Sequence, residues 1–211
     1  MSPYLSRLTL NAHHNRTKRE FDWPYELHRT ICNAWQDSKS ARILFRPDQV
    51  RPGIVTVIVQ SRTKPEWSRL DVPEDYLGEV DGPKKLDLQR VTVGQHLRFR
   101  LRCRPSKRIG AKDREDVGKR RGLTAKDEIL GWLKRKGQAG GFEVHEVAFD
   151  RVYWYDSKGG IQDKPIGAVV FDGVLDVTEP ETFRQAVDNG IGPQKAFGFG
   201  LLSLAPAEAS P

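Results

Sequence analysis

Hydrophobic residues in the first part of the chain follow two periods, and each period predicts a different kind of element. Residues 4–10 alternate partly and predict a strand, whereas residues 13–20 are polar and basic and predict an exposed loop. Helical spacing then predicts a helix that ends near residue 35 and packs on a sheet through Leu27, Ile31, Ala34 and Trp35. Asp22 is the expected N-cap of this helix, with Pro24 tolerated in the first turn.

The rest of the first half predicts strands. Apolar and β-branched residues indicate strands at 42–46 and 54–60, with a turn region at 47–53 between them. A short segment at 67–70 and a weak strand at 76–80 complete the order βαββαβ, which is that of a ferredoxin-like unit.

The second half repeats this order. The pattern predicts, in turn, a strand at 96–103, a basic loop, a helix at 125–136, a strand at 142–149, a hairpin, a strand at 166–177, a helix at 179–188, a glycine loop and a strand at 200–204. Thr124 and Thr178 are the expected side-chain caps of the two helices. The predicted fold class is therefore α+β, with two tandem ferredoxin-like (RRM-like) βαββαβ domains.

A Gly-Pro-Lys-Lys stretch at residues 82–85 indicates where the two domains separate. The predicted division is a first domain at 1–83, a linker at 84–93 and a second domain at 94–211.

Charge narrows the choice of partners. The 211 residues include 35 Lys and Arg against 28 Asp and Glu, which gives a net charge of +7 and a pI near 9.5. Such a protein favours polyanions, nucleic acid first and an anionic membrane second. The sequence lacks an apolar run of about 18 residues, so we expect no membrane span. It also lacks the pattern of a signal peptide.

Cys32 and Cys103 are the two cysteines, and they form no CxxC pair and have no histidine at metal-ligand spacing. We therefore expect a reducing compartment, a cytoplasmic location, no zinc site and no other metal.

The strongest charge pattern lies in the predicted strand at 96–103. Leu97, Phe99, Leu101 and Cys103 fall on one face, and the opposite face carries Arg98, Arg100, Arg102 and Arg104. Between Arg98 and Arg121 there are eleven Lys and Arg against three acids. A solvated strand face is the ordinary explanation of such alternation. A purely cationic face favours nucleic acid bound through its phosphates.

The aromatic motif by which RRM sheets stack bases is absent from this sequence. Tyr153, Trp154 and Tyr155 lie in a predicted hairpin near Lys158, and edge-strand packing explains them as well as base stacking does. Recognition of a folded RNA by its shape and phosphates therefore fits better than recognition of a single strand.

Tyr25, His28 and Arg29 share one side of the first helix, near its N-terminal turns. A histidine can exchange a proton near neutral pH, and an arginine can neutralise developing charge on a phosphate. These groups suit metal-independent transesterification, in which a 2′-hydroxyl attacks the adjacent phosphorus. A histidine at a surface or boundary position is the alternative, and His13, His14, His96 and His145 also compete for the role.

Residues 190–204 read GIGPQKAFGFGLLSL, so that four glycines surround Lys195 after a predicted helix. Glycine lets backbone N–H groups approach an anion, which predicts a phosphate cradle. A helix C-cap followed by a tight turn is an equally good explanation. A nucleotide-binding P-loop is disfavoured by the missing G-x-x-x-x-G-K-[ST] pattern and by glycines that follow a helix and precede a strand.

With these features assembled, the chain resembles the CRISPR RNA-processing endoribonucleases of type I-E systems, the CasE or Cse3 family. The resemblance spans essentially the full length and is carried by three segments: YLSRLTL with Pro24 to Arg29, LRFRLRCRPSKR at 97–108 and GIGPQKAFGFGLLSLAP at 190–206. It implies tandem ferredoxin-like domains that bind the repeat hairpin and cut at the 3′ side of its stem base. The implied products carry a 2′,3′-cyclic phosphate and a 5′-hydroxyl.

By position, His28 matches the catalytic histidine of that family, Tyr25 its assisting tyrosine and residues 190–200 its glycine-rich motif. The residues expected to contact RNA are Arg29, Arg102, Arg104, Lys107, Arg108, Lys158, Gly192, Lys195, Gly198 and Gly200. The resemblance implies that the mature crRNA stays bound, with other Cascade subunits as further partners and no cofactor. A non-catalytic RNA-hairpin-binding subunit with the same basic surface is the alternative hypothesis.

Overall fold

The computed structural model describes residues 2–109, 118, 120–155 and 165–207. Strands within these residues are β1 (Tyr4–Asn11), β2 (Leu44–Arg51), β3 (Ile54–Ser61), β4 (Leu77–Lys85), β5 (His96–Cys103), β6 (Ser106–Arg108), β7 (Arg120–Gly122), β8 (Phe142–Tyr155), β9 (Pro165–Val177) and β10 (Leu202–Pro206). The α-helices are α1 (Asn15–Asp22), α2 (Pro24–Cys32), α3 (Lys126–Ala139) and α4 (Pro180–Asn189). Short 3₁₀ turns occupy Trp67–Arg69, Leu88–Arg90 and Lys195–Phe197.

Two four-stranded antiparallel sheets organise the chain, in the orders β2-β3-β1-β4 and β10-β5-β9-β8. When the four strands of each sheet are numbered in chain order, both sheets have the order 4-1-3-2. This arrangement is the ferredoxin-like one, so the predicted fold class is confirmed. The 3₁₀ turn Trp67–Arg69 stands where the first half would have its second helix. In the part of the chain that is described, no helix is long and apolar enough to cross a membrane.

Each sheet buries one face against its own helices. In the first half, β1 and β3 alternate so that their inward residues pack under Leu27 and Ile31 of α2; the buried strand residues are Leu8, Leu10, Val55, Val57 and Val59. In the second half, the apolar face of β5 packs against Trp132 of α3 and Phe183 of α4. The predicted inward face of β5 is therefore correct, and burying each such side chain contributes about 1.5–3 kcal/mol.

The segment predicted as an exposed basic loop at 13–20 forms helix α1, so that prediction is wrong. Its buried residues are Thr17 and Glu20, which are polar, and this is why the hydrophobic pattern did not reveal a helix. The Nδ1 atom of His14 accepts a hydrogen bond from the N–H of Arg16 and caps the helix.

Glu20 is 2% exposed and accepts three hydrogen bonds. Arg16 Nε donates to Oε1 at 2.9 Å, Thr30 Oγ1 donates to Oε1 at 2.6 Å, and the Tyr76 hydroxyl donates to Oε2. Burial raises the pKa of Tyr76, and its hydrogen bond to Glu20 adds to this effect. One carboxylate thus ties α1 to α2 and to the segment before β4.

Helix caps differ from the predictions. Trp23, not Asp22, is the N-cap of α2, while Pro24 does occupy the first turn. The N-caps of α3 and α4 are Ala125 and Glu179, and neither makes a side-chain capping bond, so the Thr caps are wrong. Pro180 begins α4, and its fixed φ suits the first helical position without a side-chain cap.

Two strands run further than predicted because both are edge strands. β2 continues through Pro47 and β4 continues through Pro83, and an edge strand tolerates a residue that lacks an N–H donor. As a result Lys84 and Lys85, which the sequence assigned to the linker, pair with β1. The division of the chain into two domains stays a prediction.

The two halves contact each other through hydrogen bonds along β2 and β3. Gln60 Nε2 donates to the carbonyl of Val187 at 2.8 Å, and Arg62 pairs with Asp188 at 2.6 Å. Arg46 is buried and donates to Ser203 Oγ at 2.7 Å. The second sheet is thereby held against the edge of the first.

We predict that Glu20→Ala destabilises the protein by about 3–5 kcal/mol, because it leaves Arg16, Thr30 and Tyr76 buried without their acceptor. Urea unfolding measures the change in the free energy of unfolding. Glu66→Ala is the matched control, since Glu66 is exposed and pairs with Arg69 at 3.8 Å; its effect is at most about 1 kcal/mol. Equal effects of the two substitutions would contradict the role given to Glu20.

Candidate active site

Helix α2 sorts its side chains between the core and the surface. Pro24, Leu27, Thr30 and Ile31 are buried, which leaves Tyr25, His28 and Arg29 on the flank that the sequence predicted. Tyr25 is 50% exposed, and His28 is half-buried. The structure therefore brings these three residues together on one flank of α2, in the first half of the chain.

The ring of His28 lies between two aromatic rings. Its centroid is 6.1 Å from that of Tyr25, with 23° between the planes, and 5.9 Å from that of Phe45 in β2. Phe197 of the glycine loop lies on Tyr25 at 5.9 Å. Residues from both halves of the chain thus form one row of rings around the imidazole.

Burial lowers the pKa of His28 below its ordinary value. Cys32, one turn further along α2, places its Sγ 3.6 Å from Nε2 and 3.8 Å from Nδ1 of His28. Burial also raises the pKa of the Cys32 thiol, so the thiol stays protonated at neutral pH. Among the described residues, no carboxylate or carbonyl bonds to the imidazole, which is therefore neutral at pH 7 and able to accept a proton.

Arg29 is exposed and pairs with Glu26 at 3.4 Å. A pair of this kind on a helix surface contributes about 0.3–0.5 kcal/mol. The guanidinium of Arg29 is therefore weakly held and can turn toward an anion beside Tyr25.

The glycine loop is built for close packing. Gly198 and Gly200 have φ values of 76° and 90°, which disfavour other residues. A Cβ on Gly198 would lie 2.9 Å from Pro47 Cδ, and one on Gly200 would lie 2.8 Å from the carbonyl oxygen of Ile191. The loop can therefore lie flat against β2, which brings Phe197 to Tyr25.

The protein itself takes up several N–H groups of this loop. The N–H of Gly190 donates to the carbonyl of Ala186 at 2.9 Å, and the N–H of Ile191 donates to the carbonyl of Gly200. The N–H of Gly200 in turn donates to the carbonyl of Arg102, and the N–H of Gly198 donates to that of Lys195. Gly190 has φ 70° and ends α4. Because these N–H groups bond within the protein, they match a helix C-cap followed by a tight turn rather than a phosphate cradle.

Lys195 begins the 3₁₀ turn, and its Nζ donates to the carbonyl of Gly192 at 2.7 Å. Gly192 has φ 84° and lies against the ring of Trp132. Burial lowers the pKa of Lys195, and the nearby positive charges of Arg42 and Lys136 lower it further.

The prediction of a purely cationic face on β5 is wrong. Arg100 donates to both carboxylate oxygens of Asp172, at 2.6 and 3.0 Å, and His96 pairs with Asp176. Asp172 and Asp176 of β9 stand directly opposite Arg100 and His96 in the strand register. The neighbouring strand thus supplies the carboxylates that neutralise this part of the face.

Arg102 lies inside the molecule rather than on this surface. It is 5% exposed, and its NH1 donates to the carbonyl of Pro47 at 2.8 Å. Burial lowers the pKa of Arg102 to about 9, with Asp48 opposing the shift and Arg46 adding to it. Its burial argues against the phosphate contact expected from the sequence, because the strand edge of the other domain covers it.

Arg104 NH1 donates to the side-chain oxygen of Gln194 at 3.4 Å, which joins the end of β5 to the glycine loop.

The hairpin of β6 and β7 is the most cationic exposed structure among the described residues. Lys107 stands opposite Arg121 and Arg108 opposite Arg120. Like charges placed across a strand pair repel each other, and Glu128 offsets part of this repulsion because it pairs with Lys107 at 2.7 Å and lies near Arg121. The hairpin therefore favours an anionic partner. Lys158, also expected to contact RNA, lies outside the described residues.

Within the described ranges, His, Cys, Asp and Glu form no cluster of three or more that could hold a metal ion.

The sequence reasoning missed Phe45 and Cys32 as neighbours of His28 and Phe197 as a neighbour of Tyr25. The spacing of Cys32 four residues after His28 could have revealed their contact. Phe45 and Phe197 come from distant parts of the chain, and periodicity gives no sign that they meet on α2.

Known proteins share this architecture over nearly the whole chain. Residues 3–206 match the family model described as CRISPR associated protein. CRISPR-associated endoribonuclease Cse3 of Thermus thermophilus is 36% identical, over 96% of this chain and 100% of that protein. CRISPR system Cascade subunit CasE of Escherichia coli is 31% identical, over 86% of this chain and 92% of that protein.

A solved structure of Thermus thermophilus Cse3, bound to an RNA representing a pre-cleavage complex, is similar in fold. The TM-score is 0.84 at 34% identity, covering 98% of this chain and 100% of that one. Together with the sequence match over both halves, this similarity places the chain in the CasE/Cse3 family of CRISPR-associated proteins.

Proposed function

We propose that this protein is a metal-independent endoribonuclease that binds the hairpin of a CRISPR repeat RNA and cleaves it at the 3′ side of the stem base. The observation that carries the proposal is the neutral, half-buried His28 beside the exposed Tyr25, at the junction of the two halves. The names of the relatives support it, because one is an endoribonuclease solved with a pre-cleavage RNA and another is a Cascade subunit.

The reaction begins when the 2′-hydroxyl attacks the adjacent phosphorus. His28 takes the proton of that hydroxyl, since an imidazole with a lowered pKa is in its basic form at neutral pH. The bond from phosphorus to the 5′-oxygen breaks, and the leaving oxygen takes up a proton. We assign that proton to Tyr25, whose ring is stacked on His28 and half-exposed. The products are a 2′,3′-cyclic phosphate and a 5′-hydroxyl.

Charge on the phosphate in the transition state needs a cation nearby. Arg29 lies one residue beyond His28 and is held only by its weak pair with Glu26. The hairpin of β6 and β7 offers Lys107 and Arg108 to the stem of the RNA, where phosphate contacts are independent of sequence. The β6–β7 hairpin of the protein thus binds the RNA, and separate residues on α2 carry out the chemistry.

After cleavage the mature crRNA stays bound, and the protein remains with it as a subunit of Cascade, as the name of the Escherichia coli relative suggests. We place this activity in the cytoplasm, in keeping with the two free cysteines, Cys32 and Cys103.

We predict that the protein cleaves its repeat hairpin in excess EDTA and that His28→Ala abolishes cleavage while leaving RNA affinity nearly unchanged. The loss follows because the 2′-hydroxyl has no other base, and general base catalysis contributes about 10²–10⁴-fold. Gel analysis of the products and of their ends measures both effects. Binding without any cleavage by the unaltered protein would instead identify a non-catalytic RNA-holding subunit.

The pH dependence of cleavage reports the pKa of His28. The active form is the neutral base, so the rate falls as the pH drops through this pKa, and the lowered pKa places that fall below pH 6.5. Single-turnover rates against pH measure the midpoint. His13→Gln is the control, because His13 is exposed and should leave the profile unchanged. A midpoint above 6.5 would contradict the assigned role.

We expect Lys107→Ala to weaken hairpin binding and to reduce the slope of log affinity against log salt by about 0.9, as the loss of one phosphate contact on a duplex does. Lys39→Ala, on an exposed turn of the first half, is the control and should keep the full slope. If both variants keep the slope of the unaltered protein, the β6–β7 hairpin does not hold the stem.

A further inference from the structure

Cations from three separate elements converge on the first part of the glycine loop. Arg42 precedes β2, Lys136 lies on α3 and Lys195 begins the last 3₁₀ turn; together they are called here the cation group. Burial lowers the pKa of Lys195, and the positive charges of Arg42 and Lys136 lie near enough to lower it further.

The ring of Trp132 connects Lys136 to Lys195. Lys136 Nζ lies 5.9 Å from the ring centroid. Gly192 packs on the same ring, where a Cβ would come within 3.3 Å, and its carbonyl accepts from Lys195 Nζ. Both ammonium groups are thus anchored beside one indole and one turn of the loop.

Arg42 reaches the loop from the first half of the chain. Its NH2 donates to the carbonyl of Asn189 at 2.8 Å, immediately before the first glycine of the loop. Its backbone has φ 48°, in the left-handed region that a residue with a Cβ disfavours. The buried Nε of Arg42 has no hydrogen-bond partner among the described residues. The fold therefore holds this guanidinium at the loop in an unfavourable conformation.

Among the described residues, no carboxylate pairs with the cation group. Asp188 lies next to Asn189, but its carboxylate is taken up by Arg62 at 2.6 Å. Three like charges held close together repel each other, so an anion bound among them is favoured.

We infer that the cation group binds a backbone phosphate of the RNA strand next to the phosphate that is cleaved. This inference rests on the proposed function and adds to it a second phosphate site, separate from His28 and from the β6–β7 hairpin. The 3₁₀ turn leads directly from Lys195 to Phe197, and Phe197 packs on Tyr25. The RNA strand that passes His28 therefore continues over the glycine loop. Residues 192–197 are all half-exposed and leave that path open.

Binding of an uncleavable RNA tests the site without relying on catalysis. The probe is the repeat hairpin with a 2′-deoxynucleotide at the cleavage position, and its affinity for the full-length protein is measured over a series of salt concentrations. Lys136→Met should weaken binding several-fold and reduce the salt slope by about 0.7–0.9, as the loss of one phosphate contact does. Lys134→Met is the matched control, because Lys134 is exposed on the same helix. Equal slopes for the two variants would overturn the inference.

Neutral methylphosphonate linkages, placed one at a time on either side of the cleavage position, locate the phosphate. The effect of Lys136→Met should vanish with one of these RNAs, because that RNA lacks the charge that Lys136 binds. Persistence of the effect with every neutral linkage would overturn the placement beside the cleavage site. Cleavage of unmodified RNA at saturating protein should proceed at an unchanged rate in the control Lys134→Met. Failure of the unaltered protein to cleave would overturn the catalytic proposal alone, since the salt slope decides the phosphate site independently.

Discussion

The close approach of the glycine loop to strand β2 is the constraint on which the rest of the site depends. Gly198 allows the loop to lie on Pro47 and Phe45, and Gly190 does the same at Leu44, where a Cβ would come within 2.9 Å of the side chain. Arg102 also donates to the carbonyl of Pro47 in β2. Because β2 is an edge strand, its outer side is free to accept these contacts, and they join the two sheets without a continuous strand pairing.

This joint also explains the electrostatics of His28. The ring of Phe45 is completely buried and lies 5.9 Å from the imidazole, while Tyr25 stacks on the imidazole and Phe197 packs on Tyr25. The resulting burial lowers the pKa of the histidine without any charged partner. The chemistry proposed for α2 is thereby linked to the second half of the chain, because Phe197 of the glycine loop packs on Tyr25.

The sequence could predict contacts within a single element, but it could not predict contacts between residues far apart in the chain. Local periodicity predicted the inward face of β5 and the shared flank of Tyr25 and His28, because both follow from a single element. Helix α1 was not predicted because Glu20, a buried carboxylate, anchors it to the core. The sequence therefore shows no apolar stripe in this segment. The burial of Arg102 depends on Pro47, which is 55 residues away and in the other half of the chain. Contacts of that kind are decided by how domains pack, and one sequence carries no pattern for them.

The arginines of β5 show why charge counted along a strand is a poor guide to a binding surface. Arg100 is neutralised by Asp172 in the adjacent strand, and Arg102 is buried against β2, so neither offers a charge to solvent in the way that alternation suggests. The cations that stay without a carboxylate instead come from separate elements, such as Arg42 and Lys136, and no run of basic residues announces them. Affinity for a polyanion follows from which charges the fold leaves unpaired at its surface. Among the described residues, such charges include Arg42 and Lys136 near the glycine loop and Arg108 and Arg120 on the β6–β7 hairpin, which come from separate parts of the chain.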